Sequence, residues 1–188
     1  RVGRQVNTLI DLEDELAEQG LPLWQVQNGY MMFSSAQDLE AISEWIRSNF
    51  FERYDELCGL LRYGLHQDVG INTFDEILDH DVTQVYCSAV PVSENHVIYD
   101  KRSWQPLASM VLNSAYEAMM WIGLKNYHRT GVNKIFLTTI GGGAFGNDRE
   151  WINRAIIQAV EKFSHLDLEV NIISYLSPDP QLVNALRI

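Results

Sequence analysis

The chain has 188 residues, the length of a single domain, and 46% of them are hydrophobic while 21% are charged. This composition is typical of a globular protein with its own core, and it excludes intrinsic disorder and a disulfide-stapled miniprotein. The 14 basic and 25 acidic residues give a net charge of −11. Such a surface repels phosphate backbones and anionic lipids, so we expect neither nucleic-acid nor membrane binding. A small anionic ligand stays compatible with this charge, because backbone amides can bind one.

Two cysteines, Cys58 and Cys87, each lie in an apolar run without a Cys or His neighbour at metal-ligand spacing. We therefore expect two buried free thiols, a reducing compartment and no metal ion. The predicted compartment is the cytoplasm, or a host cytoplasm if the protein is secreted into one. No apolar run reaches about 18 residues, so no membrane-spanning helix is expected.

The predicted elements begin with an amphipathic helix over residues 5–19, followed by Gly20, where a helix stop is expected. The short aromatic segment 28–33 predicts a strand. The serine pair 34–35 is expected to cap a second helix, whose apolar side chains repeat every three or four residues as far as Phe50.

Residues 62–82 are punctuated by glycines and crowded with acids, and they predict a long loop containing a short helix around 74–79. The β-branched and aromatic segment 82–92 predicts a buried strand. A long helix is expected from Trp104 to His128. The remaining predicted elements are a buried strand at 134–140, a helix at 148–163, a strand at 168–176 and a short terminal helix.

Strands that alternate with long helices predict a layered α/β fold with a largely parallel sheet. Ligands of such sheets bind beyond the carboxyl ends of the strands. The most distinctive sequence at such an end is the glycine-rich segment 141–146, between a predicted strand and a predicted helix. The consecutive glycines Gly141, Gly142 and Gly143 are unfavourable in a regular element but let the backbone approach a ligand closely. Beside a helix N-terminus they predict a phosphate-binding loop.

Two common nucleotide motifs do not fit this segment. Gly141, Gly143 and Gly146 match the spacing of the dinucleotide-binding fingerprint, but the next strand, ending around Tyr175, lacks the acid that would contact the ribose. The Walker A pattern is also excluded, because no Gly-Lys-Ser/Thr follows. A purely structural strand-to-helix turn stays open as an alternative.

The order of elements from residue 82 onward, with the segments VYCSAVPVS and GGGAFGN, resembles the second half of a macrodomain. Together with LLRYGLHQD, these segments are most similar to a divergent group of macrodomain hydrolases related to poly(ADP-ribose) glycohydrolases. One bacterial effector of that group removes ADP-ribose from arginine on ubiquitin. The resemblance covers about residues 55–176 and lacks the paired-glutamate signature of the glycohydrolases.

The resemblance implies a three-layer α/β fold with a mixed, largely parallel central sheet flanked by helices. It implies a single macrodomain-like domain over residues 1–188, with 1–50 as a candidate helical N-terminal extension. The glycine loop would then wrap the diphosphate and distal ribose of ADP-ribose. The ligand-binding residues implied there are Gly141, Gly142, Gly143, Ala144, Phe145, Gly146 and Asn147. Tyr175 is a candidate to stack on adenine, and His66 is a candidate contact with the substrate.

Cleavage at ribose C1′ passes through an oxocarbenium-like transition state that carboxylates stabilise. The resemblance places the catalytic acids in the acidic segment that precedes the Cys87 strand. Asp68 is the first candidate, because a glycine-punctuated turn can direct it into a cleft, and Asp75 is the second. The alternative interpretation is that Asp68 only stabilises a turn.

The sequence thus predicts a hydrolase that removes ADP-ribose from a modified protein side chain, arginine first among them, without a cofactor. Its partners would be ADP-ribose or an ADP-ribosylated protein, with ubiquitin as one candidate. Two alternatives stay open: a non-catalytic module that recognises ADP-ribose, and an unrelated α/β scaffold with a structural glycine loop.

Overall fold

The structure of the chain is a computed structural model that describes residues 6–72, 77–96, 98, 100–174 and 177–186. The helices are α1 (Ile10–Glu18), α2 (Ala36–Asn49), α3 (Tyr54–Gly59), α4 (Gln105–Thr130), α5 (Arg149–Lys162) and α6 (Pro180–Leu186). The strands are β1 (Gln25–Gln27), β2 (Tyr30–Met32), β3 (Gly64–Asn72), β4 (Ile77–Tyr86), β5 (Lys134–Thr138) and β6 (Glu169–Ile173).

The strands pair two by two within the described residues. β1 pairs with β2 and β3 with β4, both antiparallel, whereas β5 pairs with β6 in parallel. The predicted three-layer macrodomain-like fold, with a mixed and largely parallel central sheet flanked by helices, is therefore wrong. The physical reason is that β4 forms its ladder with β3, its neighbour along the chain, and not with β5.

The segment predicted to be a long loop is instead a β-hairpin. Its register shifts after His66 and again after Gly70, and Asp68 between them has a φ of 54°. Such shifts mark β-bulges, which accommodate left-handed residues that a regular strand excludes. The glycines and acids that suggested a loop therefore belong to an irregular pair of strands.

Two further predictions in this region need correction. Of the short helix predicted around 74–79, residues 77–79 belong to strand β4, and residues 74–76 lie outside the described residues. The buried strand predicted over 82–92 ends at Tyr86, whose side chain is 57% exposed. The chain continues from there as an irregular segment.

Helices α2, α4 and α5 agree with the predicted periodicity, whereas α1 begins only at Ile10 and α3 was not predicted. α2 begins after Ser35, whose hydroxyl accepts a hydrogen bond from the Asp38 N–H (3.2 Å). α1 is followed by Gly20 with a φ of 71°, and α4 by Gly131 with a φ of 79°, as is typical of helix C-termini. Among the described residues, no helix combines the length and apolar character that a membrane span requires.

Helix α4 contributes to both parts of the hydrophobic core. Its first half packs with α1, α2, α3 and β2 through side chains such as Leu107 and Met110. From Leu112 onward it packs with β5, α5 and α6, through side chains that include Tyr116 and Met120. The helix therefore fixes the position of β5, and of the glycine segment after it, relative to the N-terminal elements.

Candidate functional site

The glycine loop, which we define as Gly141–Asn147, lies between β5 and α5. Two backbone hydrogen bonds close it: the Gly146 N–H donates to the Gly143 carbonyl, and the Asn147 N–H donates to the Gly141 carbonyl, both at 3.0 Å. The conformation of the loop is therefore fixed by its own backbone.

The glycine loop also packs on residues 89–93, which follow β4. The Ser93 N–H donates to the Phe145 carbonyl (3.0 Å), and the Asn147 side-chain amide donates to the Val90 carbonyl (2.8 Å). Two chain segments that both follow strands therefore meet here, although β4 and β5 do not pair.

Two glycines are required by this packing. Gly141 and Gly146 have φ values of 79° and 67°, and a Cβ atom at these positions would overlap Ala89 and Ser93, respectively. A Cβ at Gly143, in contrast, would have no neighbour within 4 Å. Gly141 and Gly146 therefore need to be glycine for the fold, whereas Gly143 does not.

The middle of the loop offers hydrogen-bond donors. Gly142, Gly143 and Ala144 are exposed, and the N–H groups of residues 142–145 donate no hydrogen bond to any residue that the structure describes. They lie just before the N-terminus of α5, which has 14 residues. Consecutive unpartnered amides beside a helix N-terminus are suited to bind a phosphate group.

A cavity of about 310 Å³ opens beside the loop, at the lower end of the range for small-molecule sites. It is lined chiefly by the β1–β2 turn, by residues 61–63, by residues 86–91 and by Phe145. Its cationic group is Arg62, whose guanidinium donates to the Asp11 carboxylate at 2.7 and 2.5 Å. Among the described residues, its lining contains no carboxylate.

Burial favours the neutral forms of two titratable groups in the cavity lining, Cys87 and Tyr63. Burial raises the pKa of the Cys87 thiol, and burial likewise raises the pKa of Tyr63, whose hydroxyl donates to Ser114 Oγ (2.6 Å). Cys87 and Cys58 are both free thiols, as predicted, but they are half-buried rather than fully buried. Neither the Cys87 thiol nor the Tyr63 hydroxyl therefore supplies an anionic general base at neutral pH.

Asp68 lines a different surface. It lies in the β3–β4 hairpin, and the Arg129 guanidinium donates to its carboxylate at 2.7 and 2.9 Å. These hydrogen bonds hold the pKa of Asp68 below its usual value. The carboxylate lines an open groove of about 1110 Å³ between β4 and β5, and this groove shares Tyr86 and Cys87 with the cavity.

The other predicted site residues are placed as follows. His66 is exposed on β3, paired with Gln84. It contributes to the lining of neither the cavity nor the groove. Asp75 and Tyr175 lie outside the described residues. Within the described ranges, no group of three or more His, Cys, Asp or Glu side chains could hold a metal ion.

Sequence reasoning missed the contribution of the N-terminal hairpin to the cavity. Tyr30 and the turn before it line the cavity, opposite the segment 86–91. The sequence does contain a signal for the turn, because Asn28-Gly29 is a preferred pair in two-residue β-hairpins. It contains no signal for the packing of that hairpin beside Phe145.

The chain matches no model of a known protein family, no curated protein and no solved structure. Its function is therefore argued from the geometry of the site.

Proposed function

We propose that the chain binds ADP-ribose, free or attached to a protein side chain, with the diphosphate at the glycine loop. The observation that carries this proposal is the run of four amides at residues 142–145, which donate no hydrogen bond to a described residue and lie beside the N-terminus of α5. Because the protein has a net charge of −11, backbone amides are a better anion site than its surface side chains. The cavity next to Phe145 gives space for the remainder of the ligand.

Replacing Gly143 by valine is expected to weaken ADP-ribose binding by about 10- to 100-fold, the loss of one or two charge-assisted hydrogen bonds. A valine side chain would shield the amides from phosphate, yet its Cβ has no neighbour within 4 Å among the described residues, so the fold should be retained. Calorimetric titration with ADP-ribose measures the affinity, and thermal unfolding measures the stability.

The matched control is Gly59→Val, since Gly59 is also exposed and a Cβ there has no neighbour within 4 Å. This variant should bind ADP-ribose as the wild type does. Absence of binding by the wild type, or unchanged affinity in Gly143→Val, would rule out the glycine loop as the phosphate site.

A second candidate function is hydrolysis of the bond at ribose C1′, which would release ADP-ribose from an arginine of a protein such as ubiquitin. The observation that favours it is that the cavity and the groove that Asp68 lines share two lining residues, Tyr86 and Cys87. A carboxylate in that groove would stabilise the positive charge that develops on the ribose in the transition state.

The Asp68→Ala variant is expected to release ADP-ribose from an arginine-modified protein about 10² times more slowly, or slower still, with little change in ADP-ribose affinity. The matched control is Arg129→Ala, which breaks the same ion pair but retains the carboxylate. Asp75→Ala tests the second candidate acid in the same assay.

The Asp68→Ala and Arg129→Ala variants together separate a chemical role of Asp68 from a structural one. Equal losses in Asp68→Ala and Arg129→Ala would show that the ion pair only holds the hairpin. Turnover at the wild-type rate in Asp68→Ala would also exclude the catalytic role. A wild-type protein that binds ADP-ribose but releases none would be a binding module.

A further inference from the structure

We infer that Tyr30, on the N-terminal β1–β2 hairpin, contacts the ligand directly and that its ring stacks with a planar heterocycle of the bound nucleotide. This inference rests on the proposed binding of ADP-ribose. It makes the N-terminal hairpin a wall of the binding site.

The hairpin holds Tyr30 in a defined position. Asn28 and Gly29 have φ values of 52° and 85°, the left-handed pair of a tight two-residue turn, and Tyr30 is the first residue after it. Met31 is buried in the core, and its carbonyl accepts a hydrogen bond from the Asn95 side-chain amide (3.0 Å). The backbone beside Tyr30 is therefore anchored to the body of the protein.

The Tyr30 ring contacts the glycine loop. Its centroid lies 5.8 Å from that of Phe145, with 83° between the ring planes, which is an edge-to-face pair. Phe145 carries the last of the four amides and lines the cavity together with Tyr30, so phosphates bound to those amides would lie beside the cavity that Tyr30 lines. One nucleotide could therefore occupy both positions.

The cavity beside this pair is rich in aromatic rings. Tyr30, Tyr63, Tyr86 and Phe145 all contribute to its lining. Tyr30 and Tyr86 remain 39% and 57% exposed, so aromatic surface is available for a ligand to cover. Aromatic side chains stack on nucleobases of any sequence through their π-faces, and the absence of a carboxylate from the described lining avoids repulsion of the phosphates.

The test is calorimetric titration of two probes, ADP-ribose and ribose 5-phosphate, into the whole chain. Replacing Tyr30 by alanine should weaken ADP-ribose binding about tenfold or more and leave ribose 5-phosphate binding unchanged, since the latter has no heterocycle. Tyr30→Phe keeps the ring and should bind ADP-ribose within about twofold of the wild type. Phe51→Ala is the control, because Phe51 is 93% exposed and does not line the cavity.

Tyr30→Leu retains an apolar contact with Phe145 but no flat ring, and it serves if the alanine variant fails to fold. It should lose ADP-ribose affinity as Tyr30→Ala does. Wild-type affinity in folded Tyr30→Ala or Tyr30→Leu would overturn the inference and leave the proposed function standing. An equal loss for both probes would also overturn it, because Tyr30 would then only shape the loop. If the wild type binds neither probe, the proposed function itself fails.

Discussion

Replacing Tyr116 by alanine is expected to lower the free energy of unfolding by about 3–5 kcal/mol, the usual cost of deleting a buried aromatic side chain. Tyr116 is fully buried on α4, within the core that also contains β5 and α5. Its hydroxyl donates to the Thr138 carbonyl (2.8 Å) and accepts from the Ile140 N–H (2.9 Å). The variant would therefore lose core packing and the two hydrogen bonds that link α4 to residues 138 and 140, just before the glycine loop.

The control for this substitution is Tyr116→Phe, which keeps the ring and removes only the hydroxyl. Its expected cost is about 1–3 kcal/mol, because the two part-buried hydrogen bonds of the hydroxyl are lost. Chemical denaturation of both variants measures the difference. If alanine and phenylalanine cost the same, the Tyr116 ring would contribute nothing to the core, contrary to its burial.

The second large effect is expected for Gly146→Ala, with a loss of about 2–5 kcal/mol in the free energy of unfolding. A left-handed conformation costs a non-glycine residue about 1–2 kcal/mol, and Gly146 has a φ of 67°. Its new Cβ would in addition overlap the Ser93 side chain, and overpacking of this kind costs about 1–3 kcal/mol. ADP-ribose binding should weaken as well, because the loop would have to shift.

Two variants separate the backbone effect from the overlap. Gly20→Ala imposes similar strain, since Gly20 has a φ of 71°, but its Cβ would meet nothing within 4 Å. Gly20→Ala should lower the free energy of unfolding only by the cost of the left-handed backbone, about 1–2 kcal/mol. The double variant Gly146→Ala/Ser93→Gly removes the overlap, so it should regain the part of the free energy of unfolding that the overlap costs in Gly146→Ala. A Gly146→Ala loss no larger than that of Gly20→Ala would show that the loop does not press on Ser93.

Local patterns predicted helices α2, α4 and α5 well. The capping serine at position 35 and the acid Asp148 that precedes α5 both accept backbone hydrogen bonds at helix N-termini. The glycine loop was also predictable, because the left-handed backbone at Gly141 and Gly146 is a local property that favours glycine. These features depend on interactions between near neighbours in sequence.

The strand pairing could not be predicted in the same way. Gly64, Asp68 and Gly70 interrupt the alternation of polar and apolar residues, so β3 lacks the period of a regular strand. Without that period the sequence does not identify β3 as a strand, and so it does not show that β4 pairs with β3 and not with β5. The site could not be predicted for another reason, since only tertiary packing places Tyr30 beside Phe145.

Helix α4 couples the unfolding of the two core clusters, because both pack on it. Val111 and Leu112 are adjacent in sequence, yet they belong to different clusters of the core. Neither cluster can lose its packing without exposing one face of the same helix turn. We therefore expect the two halves of the core to unfold together in one cooperative transition. The cavity, whose walls come from both halves, would then exist only in the completely folded protein.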